Sequence, residues 1–295
     1  MKGDNIHLMG AQGAQSIIQN TMPLATNNPN LAPACDCHFH VFNAHEATPA
    51  ARYVPTYSAT LDDWEAHATI AGVSRGVVAQ PSFLGVDNRH LLRTLAQRPQ
   101  TLRGVVVVDH NATVEELRAL HDAGVRGVRL NLMGAKDDVA TLRALPASWW
   151  SALIAADMHL ELHADIGRIA VLLPLLPGEL TVVLDHFAKP ERTNAHDDTV
   201  RAVARRKHCS GATYVTLSGA YRQAASVRPL CAELALLWFE ALGHEQLLWG
   251  SDWPCTNFES EADYAGLVAA LRKWLPDSSD GVTAIAANAR RLYWR

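Results

Sequence analysis

The sequence predicts a (β/α)8 barrel carrying a non-barrel N-terminal arm, and three observations lead there. Short β-branched runs alternate with longer amphipathic stretches eight times over about 260 residues. Several of the short runs, such as Val105–Val108 and Val182–Leu184, are apolar without interruption. Strands of a parallel sheet covered by helices have this character. No linker rich in Pro, Gly or Ser divides the region, and no G-x-G-x-x-G follows the first run, which argues against a doubly wound sheet.

The elements follow in order. Residues 1–33 are rich in Asn, Gln, Ala and Gly, with Lys2 their one basic residue and no long apolar block. They are expected to form a frayed or loosely docked arm rather than a secretory signal. From residue 34 the barrel is expected to run to residue 295. Its strands are expected at Cys35–Val41, Gly76–Gln80, Gly104–Val108, Gly127–Leu132, His159–Ala164, Thr181–Asp185, Tyr214–Ser218 and Gln246–Gly250. Helical periodicity lies between them at Leu61–Ala71, Asn88–Gln97, Val114–Ala123, Trp149–Asp157, Asp198–His208 and Val227–Leu242. Glu261–Trp274 and Gly281–Leu292 close the chain.

Composition narrows the class of function. The 295 residues are 48% hydrophobic and 19% charged, with 26 Lys+Arg against 30 Asp+Glu. Disorder is excluded as the main state. A net charge of −4 argues against nucleic-acid binding through bulk positive charge. No apolar stretch reaches the ~18–20 residues of a membrane span. Five cysteines, an odd and sparse set, read as free thiols in a reducing compartment, so a cytoplasmic location is expected.

A barrel of this type places its chemistry at the C-terminal ends of the strands. The first strand ends Asp36-Cys37-His38-Phe39-His40. Strict alternation puts Asp36, His38 and His40 on the inner face, and Cys35, Cys37 and Phe39 towards the helices. Alone this is weak: fourteen histidines in 295 residues give about 0.7 His-x-His pairs by chance. Company strengthens it. The fifth strand ends at His163, the sixth ends Leu184-Asp185-His186, and the eighth is followed by Gly250-Ser251-Asp252-Trp253-Pro254. Any one histidine reads equally well as a hydrogen-bonded core residue. Four histidines and an aspartate at one barrel end point instead to a metal or an activated water.

These residues resemble the amidohydrolase superfamily, and within it the branch of pyrone-dicarboxylate, sugar-lactone and muconolactone hydrolases. The resemblance rests on Asp36–Phe42, on Val183-Leu184-Asp185-His186-Phe187-Ala188-Lys189-Pro190, on Trp249-Gly250-Ser251-Asp252-Trp253-Pro254 and on the ending Asn288–Trp294. It implies that Asp252 is the base that takes a proton from water and returns it to the leaving oxygen. His38, His40 and His186 would polarise a lactone carbonyl, directly or through a metal. The dicarboxylate lactonase of this branch is regarded as metal-free and has no histidine at the strand-five position. Here His163 completes a set of His38, His40, His163, His186 and Asp252, which implies a divalent metal such as Zn²⁺.

The resemblance also implies a small anionic lactone as substrate. Arg129, Lys189 and Arg222 stand at cationic positions of the dicarboxylate lactonase, with lysine replacing an arginine at 189. A fourth cation, a few residues beyond Arg129, gives way to Gly134-Ala135, with Lys136 nearby. Lysine lacks the planar fork of arginine, so a substrate other than the pyrone dicarboxylate is expected. Asn131 follows Arg129 at the same strand end, while Gln80 and Ser82 could contact substrate or equally satisfy loop backbone. Cys255 has no adjacent base to activate it, and no Gly-x-Ser-x-Gly elbow is present. A metal-dependent decarboxylase and a catalytically silent barrel remain as alternatives. A homo-oligomer is compatible with the sequence, and neither nucleic acid nor membrane is expected as a partner.

Overall fold

The computed structural model describes residues 34–49, 51–223, 225–275 and 278–295. The arm expected over 1–33 lies outside the described residues. Eight parallel strands form one sheet in sequence order: β1 (Cys35–Phe39), β2 (Arg75–Ala79), β3 (Leu102–Val106), β4 (Val125–Asn131), β5 (His159–His163), β6 (Val182–Leu184), β7 (Thr213–Leu217) and β8 (Leu247–Trp249). The circle is nearly closed, as expected of a (β/α)8 barrel. The seam between β1 and β8 is made just beyond β8, where Asp252 N donates to His38 O and His40 N to Trp253 O, both at 2.8 Å. The seam therefore holds Asp252 beside His38 of β1 and His40 just beyond it.

Helices α1 (Leu61–Ala71), α2 (Arg89–Gln97), α3 (Val114–Asp122), α4 (Asp138–Arg143), α5 (Ala147–Ala155), α6 (Ile169–Leu172), α7 (Asp198–Arg206), α8 (Cys231–Leu242), α9 (Tyr264–Trp274) and α10 (Ser278–Tyr293) lie between or after the strands. Their starts follow capping chemistry. Thr60 with Asp63 and Thr113 with Glu116 form capping boxes for α1 and α3, and the carboxylates of Asp197 and Asp263 cap α7 and α9. The expected helix from Val227 begins only at Cys231, after a turn at Arg228–Leu230 that contains Pro229. The short α4 and α6 are too brief to show a helical period in the sequence.

Strand alternation divides the core. Residues such as Val78, Val106, Val128, Leu160 and Leu184 meet the helices. Cys35, Cys37, Val77, Val105, Val183 and Leu248 form a second cluster with Leu292 and Tyr293 of α10. That cluster is the lower barrel interior, plugged from below by α10.

It also corrects the expected facing of β1. Cys35 and Cys37 pack inside the barrel, not against the helices. Asp36 faces outward, accepting from Trp64 Nε1 of α1 (3.1 Å), Tyr264 Oη of α9 (3.2 Å) and Ser251 Oγ (2.6 Å). Phe39 stacks on Trp64 with ring centroids 4.1 Å apart. The pairing of β1 with β2 shifts register between Asp36 and Phe39. This irregularity breaks the period of two, so Cys37 and His38 both face inward and His40 follows them.

Candidate active site

The C-terminal ends of the strands converge on Asp252. His40 Nε2 lies 3.3 Å from Asp252 Oδ1 and His38 Nε2 3.9 Å from the same oxygen. His186 Nε2 lies 3.8 Å from Oδ2. Oδ2 also accepts from Tyr221 Oη at 2.8 Å and from Arg222 Nε. One carboxylate oxygen is thus anchored by two donors, while the other faces two imidazoles. The backbone here is forced: φ is +57° at Asp252 and between +41° and +59° from His186 to Lys189, a left-handed region costly to non-glycine residues.

Beneath this cup lies a charged layer. Arg129 Nε donates to Glu161 Oε1 (3.0 Å) and its Nη2 to Asp185 Oδ2 (3.1 Å), all buried. His38 Nδ1 lies 3.5 Å from both Glu161 Oε1 and Asp185 Oδ1. Burial alone would keep His38 neutral, but Asp185 and Glu161 outweigh it and push its pKa up to about 9. Burial and the adjacent Glu161 push Asp185 up to about 6. Burial opposes ionisation of Asp252 as well, yet Arg222, His186 and His40 hold it well below the usual carboxylate range. Burial keeps His40, His163 and His186 neutral.

The residues fit a metal ion, on a local argument. His40 Nδ1 donates to Ala79 O at 2.8 Å, which leaves its Nε2 as a bare lone pair facing Asp252 Oδ1. Two acceptors 3.3 Å apart call for a cation between them. His38 Nε2 has no hydrogen-bond partner among the described residues. The ligand atoms of His38, His40 and Asp252 lie within 4.8 Å of one another, as do those of His38, Asp185 and His186. Imidazole and carboxylate together suit a borderline ion such as Zn²⁺.

The fifth expected ligand, His163, is placed differently. Its ring meets that of His186 at 4.7 Å, and its Nδ1 lies 3.3 Å from Arg129 Nη2. A guanidinium can only donate, so the neutral ring carries its proton on Nε2 and offers a donor, not a lone pair.

An inner cavity of about 280 Å³ opens over the cup, lined in part by His40, His163, His186, Arg222 and Asp252. It shares Arg52, Ser82, Arg129 and Asn131 with an outer cavity of about 590 Å³ that reaches His110 and Trp149. Ser82 and Asn131 thus reach the cavity; Gln80 and Lys189 do not line it. Gln80 Nε2 donates to Gly85 O (3.2 Å) and Asp87 O (2.9 Å), which holds the loop after β2. Lys189 is buried with Nζ 3.6 Å from Met133 Sδ, and Met133, not the ammonium, lines the wall. Cys255 is buried with its thiol pushed up to about 12, unsuited to nucleophilic work.

Sequence reasoning passed over Glu161, Asp185 and Tyr221 as site residues, and over Arg52 altogether. Glu161 sits two residues before His163 on one strand face, a spacing that could have revealed it. Arg52 lies in a loop with no periodicity to read.

Fold and constellation together define the class of amidohydrolase barrels. The amidohydrolase family profile matches residues 35–295, and the chain belongs to that family. It is 28% identical to a 2-pyrone-4,6-dicarboxylate hydrolase of Comamonas testosteroni over 289 residues, 89% of this chain and 90% of that one. It is 27% identical to a 4-sulfomuconolactone hydrolase of Rhizobium radiobacter over 278 residues, covering 88% of this chain and 89% of the other. A solved structure from Acinetobacter baumannii, described as a probable 2-pyrone-4,6-dicarboxylic acid hydrolase with citric acid bound, is 28% identical. It superposes with a TM-score of 0.79 over 89% of this chain and 100% of its own. Among the described residues no helix is long and apolar enough to cross a membrane.

Proposed function

We propose that this chain hydrolyses a small anionic lactone, with Asp252 as the base. The observation that carries the reading is the unequal treatment of the Asp252 oxygens. Tyr221 and Arg222 fix Oδ2, so Oδ1 is the atom left to take a proton, in an ionised carboxylate. Relatives at 28% and 27% identity named as a pyrone-dicarboxylate hydrolase and a sulfomuconolactone hydrolase support the same class of substrate.

In the proposed sequence Asp252 Oδ1 accepts a proton from water as the oxygen attacks the lactone carbonyl carbon. The ring C–O bond then breaks, and Asp252 returns the proton to the departing ring oxygen, giving the hydroxy acid. His163, its ring set by Arg129, lines the cavity beside the Asp252 carboxylate. His38, His40, His186 and Asp252 would hold a divalent ion, which supplies Lewis-acid polarisation of the carbonyl and lowers the pKa of an adjacent water. Tyr221 and Arg222 keep the carboxylate oriented throughout.

A screen of carboxylated and sugar lactones in weak buffer with a pH indicator tests this, with carbon dioxide followed in parallel. Acid release by the wild type that is lost in Asp252→Asn is the expected result. Turnover that survives Asp252→Asn undiminished, or carbon dioxide without ring opening, would overturn it.

A further inference from the structure

We propose that Arg52, in the loop between β1 and α1, holds a carboxylate on the substrate remote from the scissile carbonyl, and so selects an anionic lactone. This rests on the lactonase reading and specifies its substrate. Three arginines line the inner cavity: Arg52, Arg129 and Arg222. Two are already engaged by the protein's own carboxylates. Arg129 bridges Glu161 and Asp185, and Arg222 holds Asp252 while its Nη2 donates to Thr256 O at 3.1 Å. Their charge is spent locally, since each sits against at least one buried carboxylate.

Arg52 is different. It is exposed, and it makes no ion pair with a carboxylate among the described residues. It lines both the inner and the outer cavity. It lies over the loop after β4, against Gly134. A Cβ at 134 would sit 2.6 Å from Arg52 Nη1, and the backbone there, at φ +69°, favours glycine. Gly134 N also donates to Asp165 Oδ2 at 2.9 Å, which fixes the loop under the guanidinium. The residue pair thus puts a cation over a stretch of β4 loop that has no cationic side chain of its own at 134 or 135. A planar fork with free donors takes a carboxylate in two hydrogen bonds, which a lone ammonium does not.

The test uses Arg52→Ala and Arg52→Lys in the full chain, with thermal melts to verify folding. Turnover of a six-membered lactone bearing a ring carboxylate is compared with that of the unsubstituted lactone. Arg52→Ala is expected to lower the kcat/KM preference for the carboxylated lactone by about 10- to 100-fold, chiefly through KM, with Arg52→Lys between the two. A preference that stays within about twofold of the wild type would overturn the assignment. Binding of tricarballylate, measured by calorimetry, reads the same contact without turnover. Affinity about tenfold weaker or more in Arg52→Ala supports the site; equal affinity, or no binding to the wild type, overturns it. If the wild type opens neither lactone, the lactonase reading fails and the calorimetry alone decides the role of Arg52.

Discussion

His159 and His163 stand four residues apart on β5, both facing into the barrel, and their surroundings share almost nothing. His159 packs against the Tyr293 ring at 5.3 Å, beneath a position where only Gly127 leaves room. Burial pushes its pKa down to about 4, so it is a neutral plate in the lower plug of thiols and valines. His163 meets Arg129, His186 and an open cavity. The lower end is closed by α10; the upper end is closed only by loops that bring charges with them. Identical side chains on one strand face therefore become packing at one end and the wall of the candidate site at the other.

The largest effect that would sharpen this contrast is on turnover. Asp252→Asn is expected to cut kcat by about 10³-fold or more, whereas His159→Phe leaves it within about threefold; steady-state rates of both variants check this. If His159→Phe proves equally damaging, the two ends are not separable. Next comes Arg222→Met. Arg222 holds the Asp252 carboxyl low, so its loss raises that pKa and moves the acid limb of kcat/KM to higher pH. The rate should fall most at acid pH and recover as pH rises.

Metal uptake offers a further test of the upper end. Protein stripped with a chelator carries a proton on His38 below about pH 9, and ligation must release it. Zinc affinity by chelator competition should therefore climb with pH from 6 to 9, by up to about tenfold per unit; a flat profile breaks the link.

Smaller effects belong to the plug. Gly127→Ala would place a Cβ 2.3 Å from His159 Nε2, and overpacking of this kind costs about 1–3 kcal/mol in denaturant unfolding. Its rate constants should stay near those of the wild type. Smallest is Tyr293→Phe. The buried hydroxyl has no hydrogen-bond partner among the described residues, so its removal should change stability by no more than about 0.5 kcal/mol.

Much of this architecture was legible beforehand. Uninterrupted valine runs marked the strands, and helical periodicity marked helices such as Leu61–Ala71 and that from Val114. Histidines at strand ends pointed to the end of the barrel where His38, His40, His186 and Asp252 come together. Less was legible where geometry departs from periodicity. The bulge in β1 reversed the facing of Cys35, Cys37 and Asp36, and α4 and α6 are too short to repeat a pattern. Gln80 and Lys189 look like binding residues in the sequence, yet loop carbonyls and the Met133 sulfur occupy them.

By itself the sequence determined which chemistry-bearing residue types stand at the ends of which strands, because burial imposes hydrophobic periods that survive in one dimension. Only the closed barrel decided which oxygen of Asp252 is free, which arginines are already paired and that Arg52 overlies Gly134. Those outcomes depend on distances of a few ångströms between groups 30 to 200 residues apart, and Coulomb and hydrogen-bond energies vary steeply over that range.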